Sequence, residues 1–163
     1  MKKPLRELVD MQGIEVIQGD LEFPVRGVQF DSRKVVSGDV FFAVPGTQVD
    51  GHRFIPIVCE RAPTEIPKEI AVLQVPSASD ALGWAANAFF DHPSKKLTLF
   101  GVTGTNGKTT TATLLYQLFS LAGFKCGLLS TVRNVVSGRE IESTHTTGDA
   151  LQIAGLMSAM VEA

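Results

Sequence analysis

The sequence predicts an α/β fold: a small α/β domain over residues 1–95, then the start of a second, parallel-sheet domain over residues 96–163. Three observations carry this. Short apolar runs alternate with segments of helical spacing along all 163 residues. Strand, loop, helix and strand follow one another from Leu97 to Ser130, a β-α-β order of the kind that builds parallel sheets. Between the halves, Ser94, Lys95 and Lys96 form the stretch that reads as a hinge.

The elements follow in chain order. Pro4 at an early helical position, with Leu5, Leu8 and Val9 behind it, predicts a short helix over residues 4–10. "IEVIQGD" and "GVQFDSR" predict strands around the turn "LEFP". "SGDVFFAVPG" predicts a turn and a buried strand, Val40 to Val44, closed by Pro45-Gly46. "VDGHRFI" opens a new segment and "APTEIPKE" is a proline-broken loop. "IAVLQVP" predicts a further buried strand. "SASDALGWAANAFFDHP" predicts a helix capped at Ser79 or Asp80, stopped before Pro93, with Trp84 and Phe89 in the core. A strand from Leu97, a helix over 110–122 and a strand in "GFKCGLLST" come next, then a hairpin turn at "VSGRE". The last helix is expected to take Thr147 or Asp149 as its N-cap, and it carries apolar residues at helical spacing: Leu151, Ile153, Ala154, Leu156, Met157, Met160 and Val161. It stops without a capping glycine, as a piece of a longer chain would.

Composition excludes several classes. Hydrophobic residues make up 44% and charged residues 20%, enough to build a core and too apolar for a disordered tail. A net charge of -2 argues against a general nucleic-acid binder. Cys59 and Cys126 match no disulfide framework or metal spacing and are expected to be reduced thiols. No stretch is apolar enough to cross a bilayer, and "MKKPLRELVD" is not a signal peptide. The expectation is a soluble, cytoplasmic monomer that contacts neither membrane nor nucleic acid.

Chemistry concentrates at "LTLFGVTGTNGKTTTATLLYQLF". An apolar run enters a glycine-rich turn and leaves as a helix. Such a turn aims backbone N–H groups and a helix N-terminus at phosphate. Gly104, Thr105, Asn106 and Gly107 form the expected cradle for ATP. Lys108 is the catalytic cation that reaches the β and γ phosphates, and Thr109 is the Mg²⁺ ligand. Thr110 is placed to cap the helix and touch a phosphate. The strict phosphate-loop pattern needs a glycine at 102, where Val102 stands; the glycines are at 101 and 104 instead.

"GVTGTNGKTTTA" resembles the ATP-binding signature of the Mur ligases, the ATP-dependent amino-acid ligases of peptidoglycan precursor synthesis. The motif alone also fits folylpolyglutamate synthetases and cyanophycin-type ligases. "FDSRKVVSGDVFFAVPGTQVDGHRFI" resembles the N-terminal domain of the members that add the third residue or the D-Ala-D-Ala dipeptide. The resemblance implies that residues 1–95 hold a uridine nucleotide, with Ser32, Thr47, Gln48, Val49 and Asp50 touching uracil, ribose or diphosphate. Asp31 and Arg33 also suit a plain ion pair. "ESTHTTGDALQ" resembles the third-residue members, which implies that Thr146 and Thr147, with His145 beside them, bind the diphosphate–sugar region. The same four residues, Thr146 to Asp149, also suit a helix cap alone. His52 would shape the nucleotide turn, and His92 reads as structural or solvated.

The function implied is ATP-dependent addition of meso-diaminopimelate or L-lysine to UDP-MurNAc-L-Ala-D-Glu through an acyl phosphate. Other readings are dipeptide addition and a nucleotide-binding module without catalysis; no guanine-reading motif supports a GTPase. The resemblance covers only about the first third of the family's length, so the chain alone is expected to be inactive. It also lacks a helix, on the order of ten residues, between "HRFI" and "PIVCE". Either the helix is deleted or residues are missing near Pro56 to Val58. The second is expected, because deletion would uncover a sheet face.

Overall fold

A computed structural model describes residues 2–44, 56–62, 67–141 and 149–163. The chain divides into two units, Met1–Phe89 and Phe90–Ala163. The division falls just before the expected hinge, whose residues enter a 3-10 turn, Pro93–Lys95.

The first unit is built on a five-stranded sheet. It contains β1 (Lys3–Pro4), α1 (Leu5–Leu8), β2 (Glu15–Gln18), β3 (Pro24–Val25), β4 (Gly27–Gln29), β5 (Asp39–Ala43), β6 (Ile57–Cys59), β7 (Val72–Gln74) and α2 (Ala78–Phe89). The strand order is β2-β7-β6-β5-β4. Strands β4 to β7 run parallel, and β2 pairs antiparallel with β7. The strands flanking "LEFP" are therefore not neighbours but opposite edges of one sheet. Between them, β3 pairs with β1.

Parallel strands covered on both faces read as continuous apolar runs. β5 shows this: Val40, Phe41 and Phe42 are buried although their side chains alternate between faces. Phe41, Ile57 and Val72 share one cross-strand row; Phe42, Val58 and Leu73 share the next. All six are buried. Helix α2 packs over β4, β5 and β6, and α1 packs on α2 with Leu5 and Leu8 fully buried.

Strand β6 has no alternation to announce it and was not expected. The Pro56 carbonyl accepts from Phe41 N–H at 2.9 Å, and the next residue, Ile57, donates to the Ala71 carbonyl at 2.8 Å. These are successive ladder positions of one continuous segment.

Other details differ from expectation for local reasons. The α2 cap is Ser77, not Ser79 or Asp80: its Oγ accepts from Asp80 N–H at 3.2 Å and its carbonyl from Ala81 N–H at 3.1 Å. Glu60 takes the Ala78 N–H at 3.0 Å, so a carboxylate joins the Ser77 hydroxyl in starting the helix. Trp84 is not core; it is 42% exposed on α2, where alanines make the buried face. At Gly19, φ is +99° and an added Cβ would collide with the Ala71 backbone, which fixes glycine at the end of β2.

The second unit holds α3 (Lys108–Leu121), β8 (Leu128–Leu129), β9 (Asn134–Val136), β10 (Arg139–Ile141) and α4 (Ala150–Glu162). The three strands form an antiparallel sheet, β10-β9-β8, turning at Ser137-Gly138 as "VSGRE" predicts. Asp149 is the α4 cap, accepting from Gln152 N–H at 2.8 Å. The parallel β-α-β unit is not formed. Leu97–Val102 is no strand, and β8 pairs only with antiparallel β9. A ladder needs a partner for each N–H and C=O, and none of the described residues provides one for 97–102.

Candidate functional site

The loop before α3 has the conformation its glycines allow. Gly104 has φ +147° and Gly107 φ +77°, angles that side chains rarely adopt. At Gly107 the requirement is angular, since an added Cβ would meet nothing within 4 Å. Gly107 is the helix N-cap and accepts from Thr111 N–H at 2.9 Å. The expectation that Thr110 caps the helix is therefore corrected, because α3 begins at Lys108. Thr110 instead lies in the first turn, where the N–H groups of Lys108, Thr109 and Thr110 have no helical acceptor.

The Lys108 ammonium turns back onto the loop. It donates to the Gly104 carbonyl and, at 3.3 Å, to the Thr105 carbonyl. Gly104, Thr105, Asn106, Gly107 and Lys108 are all exposed, and Thr109 is half-buried. A cation, unpaired first-turn N–H groups and a helix N-terminus thus meet at a solvent-open loop, which suits the phosphates of ATP. No group of three or more His, Cys, Asp or Glu side chains gathers as a metal site among the described residues. Mg²⁺ held with a nucleotide needs little more than one protein oxygen, and the Thr109 hydroxyl fits that need.

The first unit places Ser32 at the rim of its sheet. β4 ends at Gln29, and a 3-10 turn, Ser32–Lys34, leads the chain round to β5. The carboxyl ends of parallel strands are where α/β sheets bind ligands. Asp31 caps this turn, accepting from Arg33 N–H at 3.1 Å. Its two oxygens also take Arg33 Nε and one terminal nitrogen, both at 2.9 Å. The Arg33 side-chain bond, helped by its backbone N–H, holds the Asp31 carboxyl at about 2. The ion pair that the sequence left open is thus formed, and it stiffens the turn that carries Ser32.

Sequence reasoning missed Asp39. It is buried at 4% exposure, and its Oδ2 accepts from Val36 N–H at 3.0 Å. Its carboxylate fills the space that a Cβ on Gly27 would need. Asp39 therefore closes the loop after Ser32 from the β5 side. The available signal was a charged residue heading the run "DVFFAV".

Thr47, Gln48, Val49, Asp50, His145, Thr146 and Thr147 lie outside the described residues, as does His52. Thr47 to Asp50 follow β5 in sequence as Ser32 follows β4. No helix among the described residues is long and apolar enough to cross a membrane.

Comparison with known proteins agrees with both halves. Residues 24–90 match the Mur ligase family catalytic domain, and residues 102–163 match the Mur ligase middle domain. The UDP-N-acetylmuramoyl-L-alanyl-D-glutamate--2,6-diaminopimelate ligase of Cytophaga hutchinsonii is 43% identical over 169 residues, covering 98% of this chain and 35% of the relative. That alignment is longer than the chain, so the relative has residues without counterparts here. The Bacteroides fragilis ligase of the same name is 44% identical over 155 residues, 90% of this chain and 32% of the relative. A solved diaminopimelate ligase superposes with a TM-score of 0.72 at 23% identity, over 99% of this chain and 34% of that one, a likeness of fold. The D-alanyl-D-alanyl ligase of Acinetobacter baumannii gives 0.51 at 23% identity, over 98% of this chain and 34% of that one. The chain spans about a third of the length of these relatives. With a family match in each of its two units, the chain belongs to the Mur ligase family.

Proposed function

We propose that the chain is the amino-terminal part of a cytoplasmic, monomeric ligase that adds diaminopimelate to UDP-MurNAc-L-Ala-D-Glu. The observation that carries this reading is the Lys108 cradle, in a chain 43% identical over 98% of its length to a ligase of that name. Residues 1–95 would serve as the uridine-substrate domain and residues 96–163 as the first part of the ATP domain. ATP with Mg²⁺ would supply the phosphoryl group that activates the D-Glu carboxylate.

The roles assigned to this chain's residues follow from their chemistry. Lys108 and the first-turn N–H groups offset charge on the transferring phosphoryl group, an electrostatic contribution. Gly104 to Gly107 let the backbone approach it, and Thr109 holds the cation. Ser32, on the turn fixed by Asp31 and Asp39, offers a hydroxyl to the uridine nucleotide. Thr47, Gln48, Val49 and Asp50 follow the next strand and complete that contact. Thr146 and Thr147, beside His145, precede α4 and would take the diphosphate–sugar region. The selection of the incoming amino acid falls to the part of the relatives that this chain does not span.

The reading is tested by fusing this chain to the remaining two thirds of the Cytophaga hutchinsonii ligase. The fusion is expected to consume UDP-MurNAc-L-Ala-D-Glu with diaminopimelate and to leave the tripeptide precursor with D-Ala-D-Ala untouched. The opposite preference would assign the chain to the dipeptide-adding members.

A further inference from the structure

Residues 30–38 join β4 to β5, two parallel strands, through the single 3-10 turn that carries Ser32, where such crossings usually take a helix. No side chain from Gln29 to Gly38 is buried, and Val36 is 64% exposed. Packing therefore does not fix this connection; polar bonds do. Asp31 closes its first half. The Asp31 carbonyl accepts from Lys34 N–H at 3.0 Å, and its carboxylate holds Arg33. Asp39 closes the second half. Its N–H donates to the Val36 carbonyl at 3.1 Å, and its Oδ2 accepts from Val36 N–H at 3.0 Å.

The two acids differ in burial. Asp31 is only partly covered, whereas Asp39 is the one buried charged residue among the described residues. A buried carboxylate is tolerated where it is hydrogen-bonded, and the chain makes room for this one. Its Oδ1 faces Gly27, its register partner on β4. The three atoms nearest to a Cβ added at Gly27 all belong to the Asp39 side chain, and Oδ1 would collide with it. Gly27 has no positive φ, so glycine is required there by Asp39 and not by the backbone angle. The two residues form a matched pair: β4 omits a side chain, and β5 aims a carboxylate at the loop.

We infer that Asp39 is a positioning residue for the uridine-linked precursor. Acting through Val36, it holds the connection that carries Ser32 in its binding geometry and does not touch the precursor itself. A loop fixed before the ligand arrives has less freedom to lose on binding, so its polar ties contribute to affinity. Asp31 does not supply this tie, because its bonds lie within residues 31–34. Asp39 is the first residue of β5, so its side chain links the loop to the sheet. The inference rests on the assignment of Ser32 to the uridine nucleotide.

The test titrates the 163-residue chain and its variants with UDP-MurNAc-L-Ala-D-Glu by calorimetry. Asp39→Ala is expected to raise Kd by at least about tenfold, the usual cost of losing a hydrogen bond to a charged group. Asp39→Asn keeps an oxygen for Val36 N–H and should restore most of the affinity. Gly27→Ala crowds the carboxylate from the other side, so it serves as the second variant and should also weaken binding. The double variant Gly27→Ala/Asp39→Ala should bind no more weakly than Asp39→Ala alone, because the two changes break one interaction. In the fusion with the remainder of the Cytophaga hutchinsonii ligase, Asp39→Ala should raise the KM for the precursor and leave kcat and the KM for ATP unchanged. Circular dichroism confirms that each variant is folded. Parental affinity in folded Asp39→Ala or Gly27→Ala would overturn the inference alone, as would a KM for ATP that rises as far as the KM for the precursor. Absence of binding by the folded parent chain would overturn the uridine reading, and the inference with it.

Discussion

Lys108→Ala, placed in the fusion with the remainder of the Cytophaga hutchinsonii ligase, is expected to lower the ligation rate by at least about 10²–10³-fold, the usual cost of removing one preorganised electrostatic contact. The ammonium already lies at the loop carbonyls of Gly104 and Thr105, so it is positioned before any nucleotide arrives. Its loss leaves the Gly104 and Gly107 backbone and the first-turn N–H groups intact, and nucleotide binding should weaken less than turnover does. The uridine-linked precursor is assigned to Ser32, Thr47 to Asp50 and Thr146–Thr147, none of them in the Lys108 loop, so its affinity should change little. Steady-state kinetics with varied ATP and precursor separates these effects. A variant that turns over at the parental rate would remove Lys108 from the chemistry.

Phe42→Ala is expected to destabilise the first unit by about 3–5 kcal/mol, in the range for large aromatic truncations in a core. Phe42 is fully buried on β5, which has β4 on one side and β6 on the other, and α2 packs across all three. Small domains are stable by only about 5–15 kcal/mol, so the loss should lower the melting midpoint by on the order of 10–30 °C. Trp84→Ala, on the half-exposed side of α2, should cost much less. Thermal denaturation of both variants, followed by circular dichroism, checks the pair. A larger loss at Trp84 would mean that the helix buries the face the sequence suggested.

That contrast shows what the sequence could and could not say. Periodicity found β5, β7, α2 and α4, because each carries its own pattern of apolar residues. It placed Trp84 inside because it records residue type, whereas the buried face of α2 is made by Ala78, Ala81, Ala85 and Ala86 with Leu82. β6 is three residues long and its neighbours in the ladder are distant in sequence, so no local window reveals it. The opposite-edge positions of β2 and β4 are equally non-local. Leu97–Val102 has the composition of a buried strand, but composition records only a demand for partners. The Lys108 loop was legible because glycine, lysine and threonine act there through backbone angle and charge, which are local properties. Asp39 was not, because its role depends on the distant Gly27 lying beside it.

The central claim is that this chain carries the precursor-binding end of a Mur ligase, together with an ATP loop that cannot act alone. Calorimetric titration of the 163-residue chain with UDP-MurNAc-L-Ala-D-Glu tests it most directly. One binding site is expected, weakened by Ser32→Ala, with no ATP hydrolysis when ATP and Mg²⁺ are added. Absence of binding in a folded chain, or binding indifferent to Ser32, would contradict the account.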